Sequence, residues 1–261
     1  FHSNDINAIV TAGTGGDTLT GGNGDDSLTG GSGADSITGG YGADVIVTAD
    51  GADVVVAGGG ADTITDAAGN ATIDGGAGND TIAGGAGEDS ITGGTGDDTF
   101  DLDGIILVAN RDTITDFEDE GAVVGDVVEI DASATAKGGT VGDFATMATV
   151  STAAVNDDTA YDLGDTNGTN IIELTVNDGG GDLALSNTGV ELEKIVSAGS
   201  ANFVVDASEK FYILAYDGGK AYLYYADSGA NTDLTAAEIL LVAVFDGITA
   251  GGFVAEDFIL G

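Results

Sequence analysis

The chain has 261 residues, with 45 acidic against 5 basic side chains and a formal net charge of −40. Such a balance repels nucleic-acid phosphates and anionic lipid headgroups, so no nucleic-acid partner and no membrane insertion are expected. Cysteine is absent, which removes disulfides, thiolate metal sites and cysteine nucleophiles, and the single histidine, His2, cannot make an H-E-x-x-H zinc site. The longest apolar run, residues 239–245, is far shorter than the roughly 20 residues that span a bilayer. An acidic, solvated surface is one reading of the charge; a counter-ion for regularly placed aspartates is the other.

Residues 1–11 are expected to form a lead-in strand. They lack the basic region and small-residue cleavage site of a secretory signal peptide, so either the sequence begins inside a longer chain or export uses another signal. Ten nonapeptides then run from residue 12 to residue 101 without insertion, each close to G-G-x-G-x-D-x-U-x, where U is a large apolar residue. Position 4 is glycine in every copy, from Gly15 to Gly96. Position 8 is always apolar, from Leu19 to Phe100, and position 6 is aspartate except at Ala71.

This period resembles the RTX repeats, the calcium-binding parallel β-roll of proteins exported by type I secretion. Each unit supplies a glycine-rich turn and a short strand, and one coil takes two units. Strand alternation sends position 8 inward and positions 7 and 9 outward. One apolar side chain per nine residues is a thin core against the entropy of ordering so much glycine, so a further binding term is required. Stacking of unit i on unit i+2 brings aspartates and turn carbonyls together as hard oxygen ligands, the set that calcium prefers.

Two aspartate ladders follow. One holds Asp26, Asp44, Asp62, Asp80 and Asp98; the other holds Asp17, Asp35, Asp53 and Asp89, with a gap at Ala71. The accompanying carbonyl ligands are assigned to Gly22, Gly24, Gly31, Gly33, Gly40, Gly42, Gly76, Gly78, Gly85, Gly87, Gly94 and Gly96. Units 48–74 carry fewer paired glycines and are expected to bind calcium more weakly, with Asp50 and Asp66 as candidate compensating ligands. The alternative is an ion-free solenoid in which the aspartates only stabilise turns.

The segments Arg111-Asp112-Thr113-Ile114-Thr115-Asp116-Phe117 and Gly125-Asp126-Val127-Val128-Glu129-Ile130-Asp131 resemble the segment that closes many RTX rolls. Asp112, Asp116 and Asp126 either complete a last calcium site or are outward polar residues of cap strands. Residues 132–261 read as short strands with polar turns. Residues 211–216 and 221–225 flank Asp217-Gly218-Gly219-Lys220, a hairpin signal, and residues 234–239 suggest one helical turn. Five tyrosines between Tyr212 and Tyr225 either pack a core or form a carbohydrate-stacking surface. The end, Asp257, Phe258, Ile259 and Leu260 before Gly261, resembles the carboxy-terminal type I secretion signal of RTX proteases and lipases, while an ordinary closing strand is the alternative.

The expected fold class is all-β: a calcium-bound parallel β-roll with closing strands over residues 12–131, followed by a β-sandwich-like module at residues 132–261. The resemblance implies several Ca2+ ions, a type I exporter as partner and an extracellular or cell-surface location. The expected function is a non-enzymatic, calcium-dependent folding, assembly and export module of a surface-layer-like protein, able to associate with itself in filaments or sheets. The competing reading is the carboxy-terminal part of a secreted protease, lipase or adhesin whose active domain lies elsewhere.

Overall fold

The computed structural model describes residues 7–102, 111–118, 125–130, 148–151, 161–162, 171–175, 203–204, 210–217, 219–227, 239–248, 253 and 257–260. The chain divides into two compact units, the first ending at Ile130 and the second starting at Asp131.

The nonapeptide period builds the first unit. Its strands are β1 (Ile9–Thr11), β2 (Thr18–Asn23), β3 (Ser27–Thr29), β4 (Ser36–Tyr41), β5 (Val45–Val47), β6 (Val54–Gly59) and β7 (Thr63–Thr65). They continue as β8 (Thr72–Ala77), β9 (Thr81–Ala83), β10 (Ser90–Thr95), β11 (Thr99–Asp101), β12 (Asp112–Ile114) and β13 (Val127–Ile130). Odd-numbered strands stack in the order β1-β3-β5-β7-β9-β11-β13, and even-numbered strands in the order β2-β4-β6-β8-β10-β12. All these pairs are parallel, and within the repeats each residue lies beside the one two units on, as in Leu28↔Ile46 and Leu19↔Ile37. This is the coil of two units that the sequence predicts.

Alternation along each strand then sorts the side chains. Leu28, Ile46, Ile64, Ile82 and Phe100 line one inner face, and Leu19, Ile37, Val55, Ile73 and Ile91 the other, all buried, while positions 7 and 9 are turned outward. The odd strands stop after three residues, whereas the even strands run on through the first three positions of the next unit, pairing Gly22 with Gly40. Stacking also demands glycine in the turns. Gly33 has φ +126°, and a Cβ there would lie 2.6 Å from the carbonyl carbon and oxygen of Gly15 on the preceding coil. At the far end of the core Phe117 is buried against Phe100, with ring centroids 6.0 Å apart.

The second unit contains β14 (Ala148–Ser151), β15 (Tyr161–Asp162), β16 (Ile171–Thr175), β17 (Phe203–Val204), β18 (Lys210–Asp217), β19 (Lys220–Asp227), β20 (Ile239–Asp246) and β21 (Phe258–Leu260). A mixed sheet has the order β14-β16-β18-β19-β20, parallel at its first two joins and antiparallel at the next two, and β15 pairs with β17. The expected hairpin is present: Asp217 pairs with Lys220, and Gly219 takes the positive φ of the turn. Tyr212 and Tyr225 face each other across it with ring centroids 5.5 Å apart, and both are buried, as are Tyr222 and Tyr224. These rings fill core rather than present a stacking surface. The expected helical turn lies outside the described residues except for Ile239, which opens β20. No helix among the described residues is long and apolar enough to cross a membrane.

Candidate metal centre

Strand alternation does not end at position 8: position 6 also faces the interior, so a charged residue is buried once per unit. Asp26, Asp35, Asp44, Asp53, Asp62, Asp80, Asp89 and Asp98 are each no more than 2% exposed. One oxygen of each has a defined role. Asp44 Oδ1 accepts the Asp26 N–H at 2.7 Å, Asp62 Oδ1 that of Asp44 at 2.7 Å, Asp80 Oδ1 that of Asp62 at 2.8 Å and Asp98 Oδ1 that of Asp80 at 2.8 Å. The second ladder repeats this at Asp35 with Asp17 (2.8 Å), Asp53 with Asp35 (2.7 Å) and Asp89 with Ala71 (2.7 Å).

The other oxygen, Oδ2, is buried without a hydrogen-bond partner in all eight of these residues. A buried anionic oxygen left unpaired is among the most costly features a fold can carry, so the pattern points to a cation. The first-position glycines locate the space. A Cβ placed on Gly75 would come within 2.6 Å of both Asp80 Oδ2 and the Gly93 carbonyl oxygen, and one on Gly30 within 2.5 Å of Asp35 Oδ2. Similarly, the Gly39 carbonyl lies 2.6 Å from the point where a Gly21 Cβ would stand against Asp26 Oδ2. Each such glycine keeps open a cradle that faces a carboxylate oxygen, and at Gly21 and Gly75 a main-chain carbonyl projects into it as well.

The cradle is electrostatically strained as it stands. Burial, before the neighbouring carboxylates, raises the Asp44 and Asp80 pKa from 3.8 to about 6, and burial likewise raises Asp62, Asp89 and Asp98. Since these folded-state values exceed the unfolded one, folding without calcium takes up protons; stability is highest below about pH 4 and is lost as pH rises through about 6. Calcium-depleted protein should therefore gain β structure between pH 7 and 4, while the calcium concentration needed for folding rises over the same interval. Circular dichroism in calcium-free buffers checks this; a depleted sample that loses structure on mild acidification contradicts it.

The remaining predicted residues fall into distinct places. Asp17, at the start of the roll, is half-buried. Asp50 is exposed, so its side chain does not fill the interior of the weak units, whereas Asp66 is 3% exposed. Asp112 and Asp126 prolong the two ladders inside the closing strands: Asp112 Oδ1 accepts the Asp89 N–H at 3.1 Å and Asp126 Oδ1 that of Asp98 at 2.9 Å. They are inward-facing, not outward cap residues. Asp112 Oδ2 is orphaned like the others, and burial followed by the Asp89 charge raises its pKa to about 8. Asp126 Oδ2 instead receives the Glu118 N–H at 2.8 Å. Asp116 spends both oxygens on the Gly93 and Gly94 N–H groups, at 2.9 and 2.8 Å, and closes the last turn.

Among the predicted turn carbonyls, those of Gly22, Gly24, Gly40, Gly42, Gly76 and Gly78 lie against the glycine one coil on, and that of Gly87 accepts the Arg111 N–H at 3.1 Å. Sequence reasoning named the second and fourth positions and missed the first, whose carbonyls at Gly39, Ala57 and Gly93 sit beside the orphaned oxygens. Glycine at the first position of six of the ten units was the available signal. Asp257 and Phe258 are buried and Ile259 is exposed at β21.

Among the described residues no three acidic, histidine or cysteine side chains gather into one metal-binding cluster. The donor set is instead carboxylate plus main-chain carbonyl, all hard oxygen, and it fits calcium rather than zinc. Fold and site together define a parallel β-solenoid with two internal ladders of carboxylates, each with one oxygen unpartnered. The model of the RTX calcium-binding nonapeptide repeat matches in four copies, at residues 3–37, 11–46, 29–64 and 65–100, so the amino-terminal part of the chain consists of hemolysin-type RTX repeats. Repeats of this kind bind several Ca2+ ions and are typical of proteins secreted by type I systems. Neither the search of curated proteins nor that of solved structures gave a match.

Proposed function

We propose that this chain is a calcium-dependent folding and type I export module of an extracellular, cell-surface or surface-layer-like structural protein, without catalytic activity of its own. The observation that carries the reading is the row of buried Oδ2 atoms with no partner. Asp26, Asp44, Asp62, Asp80 and Asp98 on one ladder, and Asp35, Asp53 and Asp89 on the other, hold the ions together with turn carbonyls. A bound ion supplies the positive charge that these carboxylates lack. Where calcium is scarce the ladders repel and the chain stays unfolded, the form a type I exporter requires; where it is abundant the roll closes. The Asp257-Phe258-Ile259-Leu260 end supports the export address, which must be recognised before the roll folds. Among the described residues β1 stands at an open edge of its sheet, which supports growth into filaments or sheets, because such an edge matches that of another coil.

The address and the folding trigger should separate experimentally. In a host with a cognate type I exporter, removing residues 257–261 should retain the chain inside the cell. Replacing several ladder aspartates should permit export but yield a product that does not fold in calcium. Secretion unaffected by the deletion would overturn the export assignment.

A further inference from the structure

The ladder position at Ala71 looks empty in the sequence, yet the fold buries another carboxylate of the same unit, Asp66. Unit 7 has aspartate at its first position, Asp66, and alanine at its sixth, the reverse of the distribution in unit 8, which has Gly75 and Asp80. Position 1 and position 6 of one unit share a space, since a Cβ on Gly75, Gly84 or Gly93 would lie 2.6, 2.9 or 2.5 Å from the Oδ2 of Asp80, Asp89 or Asp98. In unit 7 the carboxylate stands at position 1 and the small side chain, Ala71, at position 6.

Three observations fix what Asp66 does there. It is 3% exposed, although it carries a charge. Its Oδ1 accepts a hydrogen bond from Thr48 Oγ1, the first-position residue of the preceding coil, itself 1% exposed. Its Oδ2 is buried without a partner, as in the regular ladder aspartates. We propose that Asp66 restores the interrupted ladder as a calcium ligand: its first-position carboxylate, oriented by Thr48, stands in for the missing sixth-position one at Ala71.

The proposal rests on the calcium-binding reading of the roll, and it selects Asp66 over Asp50 as the compensating ligand of the units expected to bind calcium more weakly. It also accounts for the loss of first-position glycine at Thr48 and Asp66, which serve as a hydrogen-bonded pair rather than as open cradles.

Calorimetric titration of the full chain with calcium chloride tests it, with circular dichroism in saturating calcium on every variant. Asp66→Ala should bind at least one ion fewer than the wild type, and Asp66→Asn, which keeps size and the Thr48 hydrogen bond, should show the same loss. Adding Ala71→Asp to Asp66→Ala should return the missing binding, because the carboxylate is restored at its regular position. Wild-type stoichiometry and affinity in both single variants would overturn the proposal while leaving calcium binding by the roll intact, as would a double variant that binds no better than Asp66→Ala. A wild-type chain that takes up no calcium would overturn the underlying reading itself.

Discussion

Removing calcium should abolish the β structure of the first unit and with it any cooperative melting of the roll. The seam contains one buried apolar side chain per nine residues, and the same nine residues bury a carboxylate whose second oxygen has no partner. The apolar contribution is thus set against a glycine-rich backbone entropy and a desolvated negative ladder at once. Each site at a hundredfold excess over its Kd adds about 2.7 kcal/mol to the folded state, so several sites acting together decide between a closed coil and an open chain. Far-ultraviolet circular dichroism should lose most of its β signal in chelator and recover it in calcium. Magnesium should substitute poorly, because it demands a small octahedral shell and gives up water reluctantly. Full β signal and an unchanged Tm in chelator would contradict the account.

Asp80→Ala should be much more damaging than Asp97→Ala, although the two remove the same charge from the same stretch of chain. Asp80 is 1% exposed, its Oδ1 holds the Asp62 N–H at 2.8 Å and its Oδ2 opens on the Gly75 cradle. Its loss strands a buried donor, at about 1–3 kcal/mol, and removes an ion ligand besides. Asp97, one coil on at the fifth position, is exposed, and a surface change of this kind stays within about 0.5 kcal/mol. Calcium-dependent thermal melts of the two variants compare them; equal losses of Tm would mean that overall charge, not the ladder, governs folding.

How much of this was legible follows from where the information lies. A strict period over residues 12–101 carries the coil, the pairing of each unit with the second one on, the inward eighth position and the two ladders, because each of these repeats with the sequence. The first glycine was harder to interpret. In the sequence it is indistinguishable from another turn residue, but Gly75 is absent from the positive-φ glycines and is required because its missing side chain leaves space for Asp80. Asp66 was legible as an acid near a gap, and Asp50 equally so; only the direction of the side chain separates the buried one from the exposed one. The closing aspartates posed the same difficulty, since nothing in the D-x-I-x-D pattern distinguishes Asp112, which prolongs a ladder, from Asp116, which ties down two backbone N–H groups. In the second unit the β18–β19 hairpin was signalled by its local Gly-Gly turn, whereas the parallel joins of β14, β16 and β18 unite segments far apart in the chain and leave no local mark.

Hydrogen–deuterium exchange read peptide by peptide tests the central claim, that calcium seated on the buried carboxylates closes the roll. The amides of Asp26, Asp44, Asp62 and Asp80 each donate to an aspartate of the next coil, so they report directly on the ladder. In saturating calcium, peptides covering residues 12–101 should exchange slowly, and in chelator they should exchange at the rate of an unfolded chain. Slow exchange of those same amides in chelator would contradict the claim.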